Sequence, residues 1–144
     1  MVYDREKAIL YAHKWAYGRN PEYYNFDLLG GDCTNFISQC LFAGFGTMHR
    51  QWYYRSLNDR TPSWSGVEFL YEFLIENKFA NEMPLQNAIA GDIIQLSFDG
   101  EKYGHSLFVV EADKNIHIAT HTLDCDMRPL DTYTYNKCRL LHIA

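Results

Sequence analysis

No apolar stretch in this 144-residue sequence approaches the ~20 residues that carry a helix across a bilayer, so no transmembrane segment is expected. There is no run of Lys or Arg with interleaved aromatics, and the net charge is −5. Nucleic acid, usually met by a basic stripe, is therefore not an expected partner. No CxxC pair occurs, which argues against a structural zinc site of the usual kind. The four cysteines, Cys33, Cys40, Cys125 and Cys138, do not make a disulfide scaffold in a chain this long. Internal repeats and low-complexity linkers are also missing, and the length suits one domain spanning 1–144. The opening residues, Met1 to Lys7, are polar rather than signal-like. An extracellular or cell-wall location would require that an export signal has been removed; otherwise the expectation is cytoplasmic.

What is present is a folded-protein composition, 47% hydrophobic and 22% charged, with an unusual aromatic share of eleven Tyr, nine Phe and three Trp. Many Tyr suit either an aromatic core or a cleft whose walls keep wet hydroxyls. The first half reads as helices. Ala8, Ile9, Ala12, Trp15 and Ala16 form a stripe over 4–19, and Phe36, Ile37, Cys40 and Leu41 form another over 33–43. A third helix is expected over 65–77, with Ser65 and Glu68 at capping-box spacing. The second half changes to strands near 93–96, 105–111, 115–122 and 139–143, the middle two joined by a turn at Asp113-Lys114-Asn115. Helices first and strands second predict an α+β fold, N-terminal helices packed on an antiparallel sheet.

Cys33 follows Gly30-Gly31-Asp32 and opens the second helix, with Asp32 a candidate N-cap. Exposed N–H groups at a helix start favour a thiolate and can hold an oxyanion. A buried, inert cysteine is the plain alternative, and Cys40, inside the apolar stripe, is read that way. His105 starts a strand after Gly104, where a base can meet a helix-terminal thiol. If the hairpin pairs Glu111 with Asn115, His105 faces His121, which would then orient the imidazole. A register slip of one residue removes His121 from that face and leaves Asp124 as the substitute. A metal site built from His105, His117, His121 and Asp124 or Asp126 ranks lower, because i, i+4 histidines on a strand stand ~13 Å apart. No cofactor is expected. Tyr23, Tyr24, Trp52 and Tyr53 are expected to line the cleft.

The segment Gly30-Gly31-Asp32-Cys33-Thr34-Asn35-Phe36-Ile37-Ser38-Gln39-Cys40 resembles the nucleophile motif of the bacterial "putative amidase domain" family. The blocks Trp52-Tyr53-Tyr54, Ser63-Trp64, Gly91-Asp92-Ile93-Ile94-Gln95, Gly104-His105-Ser106, Ala119-Thr120-His121-Thr122 and Arg128-Pro129-Leu130 continue the resemblance in order. That family is in turn similar to CHAP and other papain-like cysteine amidohydrolases. The resemblance implies a papain-like, CHAP-like fold and hydrolysis of an amide in a peptide or in peptidoglycan. It also implies a Cys–His pair, Cys33 and His105 by position, with His121 matching the third residue. An acyltransferase and a non-catalytic cell-wall or peptide-binding module are the other readings.

Overall fold

The computed structural model describes all of Met1–Ala144 as an α+β protein. Helix α1 (Arg5–Trp15) begins at Asp4, whose carboxylate accepts from the Lys7 N–H. Helix α2 (Cys33–Phe45) ends where Gly46 takes a left-handed conformation (φ 74°) and donates its N–H to the Phe42 carbonyl. Between α2 and the next helix lie a short hairpin, β1 (Tyr54–Ser56) and β2 (Asp59–Arg60), and one turn, α3 (Pro62–Ser65). Helix α4 (Val67–Glu76) follows immediately. The single helix expected over 65–77 is thus two, broken at Gly66, and the predicted capping box does not form. Ser65 Oγ instead accepts from Arg60 Nε.

Six strands make the main antiparallel sheet: β3 (Ala80–Met83), β4 (Ile93–Ser97), β5 (His105–Ala112), β6 (Ile116–Thr120), β7 (Cys125–Pro129) and β8 (Lys137–Ile143), in the order β3-β8-β4-β5-β6-β7. Strands β3 and β7 are not legible in the sequence, since Asn-Glu-Met and Cys-Asp-Met-Arg-Pro carry little strand patterning. Alternation along β5 divides the interior. Phe108 and Val110 join Phe36, Ile37, Leu41 and the aromatic residues Trp52, Trp64 and Phe73 on the helical face. Leu107 and Val109 join Ile94, Leu96, Ile118 and Leu140 on the other. Helix α2 is buried nearly all round, so its polar side chains must be satisfied internally. Asn35 accepts from Trp64 Nε1 (3.0 Å), and Ser38 accepts from Trp52 Nε1 (3.0 Å) while donating to the Trp64 carbonyl (2.7 Å). No helix is long and apolar enough to cross a membrane.

Candidate active site

Two consecutive glycines with positive φ, Gly30 (87°) and Gly31 (98°), deliver the chain into α2, conformations that side chains rarely adopt. A Cβ on Gly31 would also stand 3.4 Å from Thr122 Oγ1, so the loop entering α2 lies close against the one leaving β6. Asp32 occupies the N-cap position but makes no side-chain cap bond. Its buried carboxylate accepts instead from the Phe26 N–H (2.8 Å), Asn35 Nδ2 (2.9 Å) and His121 Nδ1 (2.5 Å), with Arg19 Nε 3.5 Å away. No side chain therefore caps the first-turn N–H groups of α2, where Cys33 sits.

Below Cys33 runs a buried polar chain. Arg139 Nε and Nη2 both donate to Gln95 Oε1 (2.9 and 2.6 Å), which fixes the amide so that Nε2 donates to Ser106 Oγ (3.3 Å). Ser106 Oγ lies 3.0 Å from Thr34 Oγ1, and Thr34 Oγ1 lies 3.8 Å from Cys33 Sγ. Because Ser106 already accepts from Gln95, its own proton is free for Thr34, and the Thr34 proton is free for the sulfur. Burial pushes the Cys33 thiol up. The Ser106 N–H, the Thr34 hydroxyl and the Thr34 N–H pull the other way, and the Asp32 charge adds to the rise. Replacing Thr34 with Val should move the Cys33 titration further up, as read from ultraviolet thiolate absorbance; an unchanged titration would show that the hydroxyl does not act on the sulfur.

The hydrogen bond between Thr34 and Ser106 joins the residue after Cys33 to the residue after His105, which brings the start of α2 beside the start of β5. The two functional groups are not bonded to each other at rest. His105 shares its parity on β5 with Leu107 and Val109, away from α2. Its ring lies 6.1 Å from that of Tyr133 and 6.3 Å from that of Phe98. Together with Gly104, Thr122, Leu123 and Arg128 these residues line a cavity of about 320 Å³. Burial lowers the His105 pKa from 6.5 to about 4, and the Arg128 charge adds to the effect. Thiol and imidazole are thus both neutral at neutral pH. At the cavity mouth Thr122 (φ 69°) and Leu123 (φ 58°) hold left-handed conformations, a strain uncommon outside glycine.

His121 is not where the expected hairpin register puts it. Glu111 pairs with His117 and Val109 with Ile118, and a bulge at Val110 shifts the ladder by one residue. Carried toward the strand ends, this sets His121 across from Ser106, on the α2 side. There its ring stacks on Phe36 (4.2 Å), and its nitrogens meet Asp32 and the Trp15 carbonyl (2.8 Å). With both nitrogens so engaged it makes no bond to His105. The substitute, Asp124, is held by Arg19 in two bonds of 2.9 Å. Of the candidate metal ligands, His121 bonds Asp32, Asp124 bonds Arg19 and Asp126 bonds His13, and no three His, Cys, Asp or Glu side chains gather to hold an ion.

Among the expected cleft aromatics, Trp52 needs correction. Trp52 is fully buried against Phe45, Trp64 and Phe73, with its N–H satisfied by Ser38, so it has no surface to offer a ligand. Tyr23 packs on Tyr54 and Trp64, Tyr24 on Phe26, and Tyr53 lies beneath Arg55. None of the four lines the cavity at His105. The aromatics that do are Phe98 and Tyr133, which lie in segments that carry no motif or strand pattern in the sequence.

Fold and site define an α+β protein with a cysteine at an uncapped helix N-terminus and a histidine at the neighbouring strand start. Residues 2–144 match the family described as "Putative amidase domain", and the chain belongs to that family, whose description points to hydrolysis of amides. The chain is also 32% identical over 123 residues to "Uncharacterized protein YhbB" of Bacillus subtilis (strain 168), an alignment covering 78% of this chain and 38% of the relative. No solved structure matches it.

Proposed function

We propose that residues 1–144 form a papain-like, CHAP-like cysteine amidohydrolase that cleaves an amide in a peptide or in peptidoglycan through an acyl-enzyme on Cys33. The observation that carries this reading is the Thr34–Ser106 contact of 3.0 Å, which sets the Cys33 helix start against the His105 strand start. His105 is the base because its ring nitrogens make no hydrogen bond, whereas those of His121 are both occupied. The resting separation requires the His105 ring to turn toward the sulfur when substrate enters, in keeping with catalytic bonds that tighten only in the complex.

A ring nitrogen of His105 takes the Cys33 proton as sulfur attacks the amide carbon. The oxyanion meets the uncapped N–H groups of α2. Imidazolium then gives its proton to the departing amine as the C–N bond breaks, leaving a thioester. Water, losing its proton to His105, attacks the thioester, and sulfur leaves and is reprotonated. The Asp32–His121 pair belongs to this reading as support for the nucleophile loop, since Asp32 directly precedes Cys33.

The test is turnover on peptides and peptidoglycan fragments by the parent and by the Cys33→Ala and His105→Ala variants. Cys33→Ala is expected to abolish hydrolysis, and His105→Ala to slow it by about 10²–10⁴-fold. Full activity in Cys33→Ala would remove the thiol mechanism, and peptide binding without turnover in the parent would favour a binding module.

A further inference from the structure

The cavity beside His105 has apolar walls and one fixed positive charge, and no carboxylate among its lining residues. Arg128 supplies the charge. Its Nε donates to Thr132 Oγ1 (2.8 Å), and its guanidinium lies 3.7 Å from the centre of the Tyr133 ring. Those contacts hold the group in place without neutralising it, since Arg128, unlike Arg5, Arg19, Arg55 and Arg139, has no carboxylate partner; Arg50 and Arg60 also lack one, but neither lines this cavity. A guanidinium that is positioned, stacked and unpaired is arranged to accept a planar anion, and a carboxylate matches its fork. Phe98 and Leu123, 55% and 83% exposed, put apolar surface at the same mouth.

We propose that this cavity is a carboxylate subsite with Arg128 as its specificity-determining residue, so that the preferred substrate is an amide bearing a carboxylate and an apolar group close to the scissile bond. The proposal rests on Cys33 and His105 being the reacting pair. It also gives the cation a cost and a use. The same charge that disfavours protonation of His105 in the empty site is balanced when a substrate carboxylate arrives, so the imidazole becomes a better base as the substrate binds.

Two reagents of the same size probe the site without a known substrate: iodoacetate carries a carboxylate and iodoacetamide is neutral. Site-resolved mass spectrometry gives the ratio of their rates at Cys33 at about pH 9. That ratio is expected to fall about tenfold in Arg128→Gln and in Arg128→Leu, and to be largely kept in Arg128→Lys, which retains charge without the fork. Cys40, fully buried, reports loss of the fold in the same digest, and the comparison uses whichever neutral variant leaves Cys40 protected. The ring resonances of His105 should titrate at higher pH in the neutral variants than in the parent, a readout that a purely structural role would not move. An unchanged ratio in the neutral variants overturns the carboxylate subsite and leaves the Cys33–His105 reading standing. Failure of both reagents to modify Cys33 in the parent overturns both.

Discussion

Between pH 6.5 and about 4 the protein should lose about 3 kcal/mol of stability that a His105→Gln variant does not lose, because a shift of one pKa unit is worth 1.36 kcal/mol. The sign follows from which state holds the proton. Burial first, and the Arg128 charge second, lower the folded pKa to about 4, whereas the unfolded chain titrates near 6.5. Within that window the unfolded state binds a proton that the folded state refuses, so falling pH favours unfolding. The contribution is fully present above pH 6.5, declines through the window and levels off below about 4. Urea unfolding at a series of pH values, read as the difference between parent and variant, cancels the titration of every other group. Parallel pH profiles for the two proteins would mean that His105 is not held neutral by its site. The same shift sets an expectation for catalysis: the acid limb of kcat/KM should fall near pH 4 rather than near 6.5.

Replacing Asp32 with Ala should cost about 3–5 kcal/mol, because it leaves three buried donors without their acceptor and takes a carboxylate from beside Arg19. Asp32 is fully buried and His121 nearly so. The carboxylate joins the Phe26 N–H, Asn35 and His121, with Arg19 close by, and so ties the glycine loop, α2 and the end of β6 together. Without it the His121 ring keeps the Trp15 carbonyl on one side and faces an empty site on the other. Replacing His121 with Leu in the same chain should recover part of the loss, because no uncompensated ring is then buried, and the two changes should be strongly non-additive. Urea denaturation of the two single variants and the double variant measures the coupling. A loss below about 1 kcal/mol for Asp32→Ala, or simple additivity, would mean that the pair does not hold the loop that leads into Cys33.

Much of this site is written locally in the chain. Glycines before Asp32, an amphipathic run after it and a strand beginning at His105 are short-range signals, and each element forms within a few residues of its expected place. What was not legible depends on long-range geometry. A bulge at Val110 has no signature in Phe-Val-Val-Glu, yet it turns His121 from the His105 side of the sheet to the Phe36 side. Asp32 reads as an N-cap by sequence, but a buried imidazole from a residue 89 positions away takes its carboxylate. Trp52 reads as a cleft aromatic by sequence, but Ser38 of α2 satisfies its N–H in the core. In the sequence Arg128 is only one residue of the Arg128-Pro129-Leu130 block. Its meaning comes from Tyr133 stacking beneath it and from the missing carboxylate, neither of which spacing reveals.

The most direct test of the central claim is to trap the thioester. The parent and the His105→Ala variant would be mixed with p-nitrophenyl acetate at neutral pH, quenched in acid and digested, and the acetyl group located among Cys33, Cys40, Cys125 and Cys138. The proposed mechanism predicts acetylation of Cys33 ahead of the more exposed Cys125 and Cys138, slowed by about 10² or more when His105 is absent. Acetylation confined to Cys125 and Cys138, or a Cys33 rate indifferent to His105, would contradict it.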